Sequence, residues 1–335
     1  VTDSPDVGRR RWTIITLILA AQTVANIGPL GIPAVASLVR AELGLTLAQA
    51  GSFISAFYVG PLVMSIPAGS IADRWGIVTT LVGGQALIAI GLLAVSAAPS
   101  YIALIVLMMV AGCGYGMLNP TSTKAVLAWS PPAHRATLVG LKQVGLPFGG
   151  ALGAALLPML SLVMGWRAAI VVAAVAVIAV AVISWFVYED PPWLPRATGA
   201  VAGRFSTVLL TRDLWLLSIS TGVFAALQTV WMAFLVLYLQ ERVGLPLVSA
   251  GRYLALAQVS GMIGRVAFGV LSDRVFGGRR RITLAIAGMG STACSLAIAF
   301  TGAGATAFWL VPLALVFGFV GIGWNGVQHT LMAEL

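Results

Sequence analysis

An all-α, polytopic membrane fold with ten transmembrane helices is predicted by three observations. Hydrophobic residues make up 59% of the 335 and charged residues only 9%, with a mean hydropathy of +1.00, whereas about a quarter of a soluble domain is charged. Apolar runs that reach the roughly 20 residues a helix needs to cross the hydrocarbon core recur along the whole chain, separated by short polar breaks. The two halves also echo each other: Ala50-Gly51, Gly69 and Asp73-Arg74 return 200 residues later as Ala250-Gly251, Gly269 and Asp273-Arg274. A parallel repeat of this kind points to a membrane protein assembled from two related halves that move against each other.

The first span, near 12–39, follows Arg9-Arg10-Arg11 and is too long for the core of a signal peptide. A break at Arg40-Ala-Glu42 leads to the second, near 47–72, which ends at Asp73-Arg74-Trp75-Gly76. The third (77–98) stops at Ala98-Pro99-Ser100 and the fourth (101–129) at Pro131-Pro132. Gly165-Trp166-Arg167 separates the fifth (138–160) from the sixth (167–188). Residues 189–212 form a polar cytoplasmic linker between an N-terminal six-helix bundle (1–188) and a C-terminal bundle (213–335) with spans near 213–239, 248–272, 282–303 and 306–332.

With a cytoplasmic N-terminus, the inner segments hold thirteen cations: Arg9, Arg10, Arg11, Arg74, Lys124, Arg135, Arg196, Arg204, Arg212, Arg274, Arg279, Arg280 and Arg281. The outer segments hold four, Arg40, Arg167, Arg242 and Arg252. That bias places both termini in the cytoplasm and accounts for the net charge of +9 without nucleic acid. The repeat also extends inward. Gln22-Thr23-Val24 returns as Gln228-Thr229-Val230, and Gly114-x-Gly116 as Gly321-x-Gly323, each followed closely by an Asn, Asn119 or Asn325. Spans one to four therefore map onto seven to ten, and the register calls for an eleventh and a twelfth after Leu335.

Chemistry-bearing residues are few. Cys113 and Cys294 lie inside apolar runs, which argues against a disulfide framework or a metal. His134 and His329 stand alone, and the adjacent acids Glu189-Asp190 fall in the linker, so neither a catalytic cluster nor a cofactor site is expected. No acid lies deep in a span, so no carboxylate proton relay is visible; His329 reads as an interfacial residue near the inner end of the tenth span.

A charge near the bilayer centre costs about 2.5–3.5 kcal/mol on insertion scales, so each one needs a reason. Arg265 precedes Asp273 by eight residues, about 12 Å of helix, which sets it near mid-membrane. Its guanidinium fork suits a carboxylate, although backbone carbonyls at a broken helix would also satisfy it. Lys142, a turn or so inside the fifth span, serves equally as an anion partner or as a cation snorkelling to the interface. Gln22 with Asn26, Tyr115 with Asn119, Gln228 with Trp231, and Asn325 with Gln328 pair up at helical spacing, as a polar cavity lining or as interhelical hydrogen bonds.

Gly69-Ser-Ile-Ala-Asp73-Arg74-Trp-Gly76 resembles the loop motif between helices two and three of the major facilitator superfamily, and Gly269-Val-Leu-Ser-Asp273-Arg274 with Arg279-Arg280-Arg281 resembles its second copy. The resemblance implies a secondary transporter of bacterial type, multi-pass in the inner membrane and monomeric, with the last two helices lacking here. It implies gating by Gly69, Asp73, Arg74, Gly76, Gly269, Asp273 and Arg274, with Asp73 pairing a cation and the N-terminus of a neighbouring helix. Spans one, four, seven and ten would line the cavity, giving Gln22, Asn26, Tyr115, Asn119, Gln228, Trp231 and Asn325 as substrate contacts. Gly261-x-x-x-Arg265-x-x-x-Gly269 resembles the eighth helix of oxalate–formate and monocarboxylate transporters, where the matching Arg contacts substrate. Lys142-Gln143-Val-Gly145-Leu-Pro147-Phe-Gly149-Gly150 resembles the Gly/Pro-rich fifth helix of bacterial members. Two departures stand out. Ile77-Val78 replace the usual basic pair, and Met108 stands where many proton-coupled members carry Arg, which argues against drug–proton antiport. The expected cargo is a small organic anion, with a co-transported proton or anion exchange both open; a drug or metabolite exporter with a neutral cavity, or a non-transporting fragment, is the alternative.

Overall fold

The computed structural model describes residues 5–131, 135–191 and 212–334, and all regular structure among them is helical. Eight helices are long and apolar enough to cross a bilayer, and a bent pair, Phe53–Met64 with Pro67–Trp75, makes a ninth. One of the eight, Leu138–Val187, has 50 residues; at about 1.5 Å per residue it would cover more than twice the hydrocarbon thickness. Gly165 breaks it with φ 81° and ψ 155°, a conformation that glycine alone adopts freely, so it is two spans. His134, Arg196 and Arg204 lie outside the described residues, as does the side chain of His329.

Contacts divide the chain into two compact units, Val1–Ala200 and Val201–Leu335. In the first, α1 (Pro5–Gly31) continues through a 3₁₀ turn at Ile32–Val35 into a helix at Ala36–Leu43. The break expected at Arg40-Ala-Glu42 falls instead at Gly44, φ 64°. Polar residues at a membrane surface do not end a helix; a left-handed residue does. A capping box between Thr46 and Gln49 starts the short helix Leu47–Gly51, and α2 (Phe53–Trp75) follows, bent by 58° where Pro67 withholds its N–H. Then come α3 (Ile77–Ser96), α4 (Tyr101–Trp129), α5 (135–164) and α6 (166–187). The second unit holds α7 (Arg212–Tyr238), α8 (Leu247–Val270), α9 (Arg280–Ala299) and α10 (Ala307–Phe317). α7 and α8 end in π-turns at Leu239–Val243 and Leu271–Val275. α10 passes through another, Gly318–Ile322, into a helix at Asn325–Glu334.

In lipid, helices gain little from burying apolar faces against each other, so close backbone approach carries more of the packing. A Cβ on Gly112 of α4 would strike the carbonyl oxygen of Phe57 on α2, and one on Gly149 of α5 would strike that of Thr23 on α1. In the second unit, a Cβ on Gly318 would meet Ala257 of α8 in the same way. Met108 is fully buried in α4 and serves as core. Trp12, Trp75, Trp185 and Trp215 lie exposed near helix ends, as aromatic residues at a bilayer surface do.

A polar clasp closes one end of the first unit. The Arg167 guanidinium donates to Glu42 (2.9 Å) and to the carbonyls of Ser96 (2.7 Å) and Ala98 (3.0 Å) at the end of α3, while the Trp166 indole donates to the same Glu42. The ion pair is partly exposed, which limits it to about 1 kcal/mol or less, but the carbonyl bonds lie deeper. Arg167→Ala is therefore expected to destabilise the unit by about 1–3 kcal/mol and Glu42→Gln by less than about 1, as read from denaturation of the purified variants.

Candidate functional site

Three helices of the first unit bring four of the expected residues together. α1 carries Gln22, α4 carries Tyr115 and Asn119, and α5 carries Lys142. Lys142 is fully buried. Its ammonium donates to Asn119 Oδ1 (2.7 Å), to the Asn119 carbonyl (3.0 Å) and to Thr123 Oγ1 (2.9 Å), which uses all three donors. The snorkelling expectation is thereby corrected. Small residues at Gly145 and Gly149 draw α5 tightly onto α1, and the lysine turns inward to α4 instead of out to the interface. Gln22 Nε2 donates to Tyr115 Oη (3.3 Å) and to the same Asn119 Oδ1 (3.4 Å), so Asn119 is the hub. Pro120 follows it directly, and its missing N–H loosens this turn of α4. Asn26 bonds back to the Gln22 carbonyl at 2.7 Å and belongs to the same face. Thr123 did not stand out in the sequence, although it lies four residues after Asn119 and so shares its face.

The second unit gathers a neutral cluster. Gln228 Oε1 on α7 accepts from Trp324 Nε1 (3.0 Å) and Asn325 Nδ2 (3.1 Å), and the Phe224 ring stacks on Trp324 with centroids 5.1 Å apart. Gln328 donates to Thr221 and to the Leu217 carbonyl, joining the helix Asn325–Glu334 to α7. Trp231 is not part of this cluster: its indole donates to Ser295 (3.0 Å) and its ring stacks on Phe317 at 3.7 Å. Arg265 is half-buried in an α8 that runs unbroken from Leu247 to Val270, and a Cβ on Gly326 would lie 2.6 Å from its carbonyl oxygen. The backbone at Arg265 therefore abuts the turn that carries Asn325.

The repeated Asp-Arg pairs find different partners. Asp73 pairs with Lys124 at the end of α4 (2.7 Å), and Lys124 also donates to the Gly69 carbonyl (3.1 Å). Asp273 pairs with Arg280, the first residue of α9, which also donates to Ser272 (3.0 Å). The repeat register explains the change: the counterpart of Lys124 is Thr330 or Leu331, neither a cation, and position 80, the counterpart of Arg280, is Thr. Arg74 and Arg274 are exposed. Gly76 ends α2 with φ 88°, whereas Gly69 and Gly269 have open space where a Cβ would stand. Lys124 appeared in the sequence only as an inner-face cation; its place one turn past the Asn119 hub was the available signal. Among the described residues no group of three or more His, Cys, Asp or Glu side chains is placed to hold a metal ion, and both cysteines are free.

Residues 14–335 match the family profile described as Major Facilitator Superfamily. The chain is 29% identical to a probable sulfoacetate transporter, SauU, of Cupriavidus necator, over 80% of this chain and 66% of that protein. It is 26% identical to a hexuronate transporter of Bacillus subtilis, over 78% of this chain and 64% of the relative. It thus spans just under two thirds of the length of these relatives. The crystal structure of a bacterial homologue of the human lysosomal transporter Spinster, inward-facing and unoccupied, superimposes with a TM-score of 0.76 at 20% identity, over 98% of this chain and 75% of that one. That likeness bears on the fold alone.

Proposed function

Because the chain belongs to the Major Facilitator Superfamily, a family of membrane transporters and not of enzymes, we propose that it is a secondary active transporter that moves a small organic anion across the inner membrane by alternating access. The observation that carries this reading is Lys142. It is a fully buried ammonium whose three hydrogen bonds end on neutral oxygens, with no carboxylate paired to it among the described residues. A buried charge without a counter-charge is costly, and an anionic cargo supplies the counter-charge. Arg265 on α8 is a further anion partner in this reading. Sulfoacetate and hexuronate, the cargoes named for two relatives, are both anions, which supports the same reading. Asp73-Arg74 and Asp273-Arg274 serve as gating pairs at the cytoplasmic face, with both termini on that side. The neutral Gln228–Trp324–Asn325 cluster favours a second reading, export of an uncharged metabolite.

Arg265→Gln separates the two. In proteoliposomes, uptake of carboxylates is expected to fall about 10- to 100-fold while the amount of folded protein is unchanged, as loss of a charge-assisted bond implies. Unaltered uptake of every carboxylate tested would reject the anion reading in favour of the neutral one.

A further inference from the structure

We infer that Lys142 splints a hinge in α4 at Pro120, and that an anion drawing the ammonium away frees the Asp73 ends of α4 and α2 to move as one piece. The inference rests on the anion reading above, because it makes the same lysine the receiver of the cargo. Pro120 lies inside α4 and has no N–H, so the Gly116 carbonyl loses its helical donor. Thr121, Ser122 and Thr123 follow in succession, and each hydroxyl donates back to an earlier carbonyl: Thr121 to Met117 (2.7 Å), the other two to Asn119 (2.9 Å each). Such back-bonding weakens and bends helices. α4 nevertheless runs unbroken from Tyr101 to Trp129. Lys142 holds the weak turn from outside, because its ammonium grips Asn119 just before Pro120 and Thr123 just after it.

The two sides of the hinge are held differently. Toward Tyr101, α2 and α4 lock backbone against backbone: a Cβ on Gly60 would lie 2.5 Å from Gly112 Cα, and one on Gly116 2.9 Å from Pro61 Cα. Toward Trp129 they are joined through a flexible side chain, Lys124, which donates to the Gly69 carbonyl (3.1 Å) and to Asp73 (2.7 Å). α2 has its own bend of 58° between Met64 and Pro67, and a Cβ on Gly116 would lie 2.7 Å from Met64 Cβ, so the two weak points sit side by side. Residues 67–75 of α2 and 121–129 of α4 therefore form one tied piece beyond adjacent hinges. The ammonium has three donors and all are used, so an anion that binds it takes a donor from Asn119 or Thr123. Because the anion gains the lysine only as the splint opens, it favours the freed state by that difference in affinity.

Hydrogen–deuterium exchange on the purified chain tests this, read by mass spectrometry over residues 53–64, 67–75, 101–116 and 121–129. Thr123→Val removes the hydroxyl that Lys142 holds. It is expected to speed exchange about tenfold in 67–75 and 121–129 together and to leave 53–64 and 101–116 unchanged. Thr123→Ser keeps the hydroxyl and should match the parent. In the parent, saturating sulfoacetate or D-glucuronate is expected to speed the same two segments. Faster exchange in all four segments, or in 121–129 without 67–75, would overturn the hinge. Calorimetric titration with the same two anions separates the readings: binding without any change in exchange would overturn the splint and leave the anion reading standing, and binding of neither would overturn both. If Thr123→Val does not fold, the parent with and without anion still decides.

Discussion

Lys142→Met is expected to lower anion uptake about 10- to 100-fold and, at the same time, to leave the protein as stable as before or more so. The first effect follows from losing the buried positive charge that offsets the anionic cargo, about 1.5–3 kcal/mol. The second follows from removing an ammonium that is fully buried against neutral groups; replacing such a charge with an apolar side chain of similar length relieves a desolvation cost of several kcal/mol. Opposite movement of activity and stability is the mark of a group kept for function. Uptake assays and thermal denaturation on one preparation check both signs. A structural lysine would behave in the other way: stability would fall, and the KM of whatever folded protein remained would not move. Lys142→Arg keeps the charge but changes a compact ammonium into a planar fork, so partial uptake with a raised KM is the expected result.

Gly112→Val is expected to prevent the first unit from folding. A Cβ at Gly112 would strike the Phe57 carbonyl, and one at Gly60 would lie 2.5 Å from Gly112 Cα. Backbone blocks backbone on both sides, so no flexible side chain can move away. Overpacking typically costs about 1–3 kcal/mol, and more where the obstruction is rigid; α2 and α4 would have to separate along their whole contact. Gly69→Ala is the matched control, because nothing lies within 4 Å of a Cβ there, and it should fold with stability within about 1 kcal/mol of the parent. The measurement is the yield of monodisperse protein after extraction, with melting temperature where yield allows. Parent-like yield and melting for Gly112→Val would mean that α2 and α4 do not cross at that glycine.

Much of the architecture was legible before any coordinates. Every predicted span falls on helical structure, although the second is divided at Ser52 and bent and the tenth passes through a π-turn, and Gly165 and Gly76 end helices where the sequence put breaks. The Arg40-Ala-Glu42 break was misplaced because charge was read as a terminator when the left-handed Gly44 does the terminating. The candidate site was legible in part. The polar residues of the first, fourth and fifth spans do converge, yet Trp231 had been grouped with Gln228 by spacing alone and turns instead to Ser295 and Phe317. Thr123, Lys124 and Trp324 are contacts that spacing did not single out.

By itself the sequence determined the helices, their breaks, the duplication and the charge asymmetry. These are local properties: in hydrocarbon each backbone N–H must bond within its own segment, so an apolar run becomes a helix whatever surrounds it. Only the tertiary structure decided that Lys142 turns inward to Asn119 and Thr123, and that Asp73 takes Lys124 while Asp273 takes Arg280. Those outcomes depend on how each helix is rotated about its axis and which neighbour it meets. Glycine contacts between residues 50 or more apart in the chain, such as Phe57 with Gly112 and Thr23 with Gly149, set that rotation, and no local pattern encodes it.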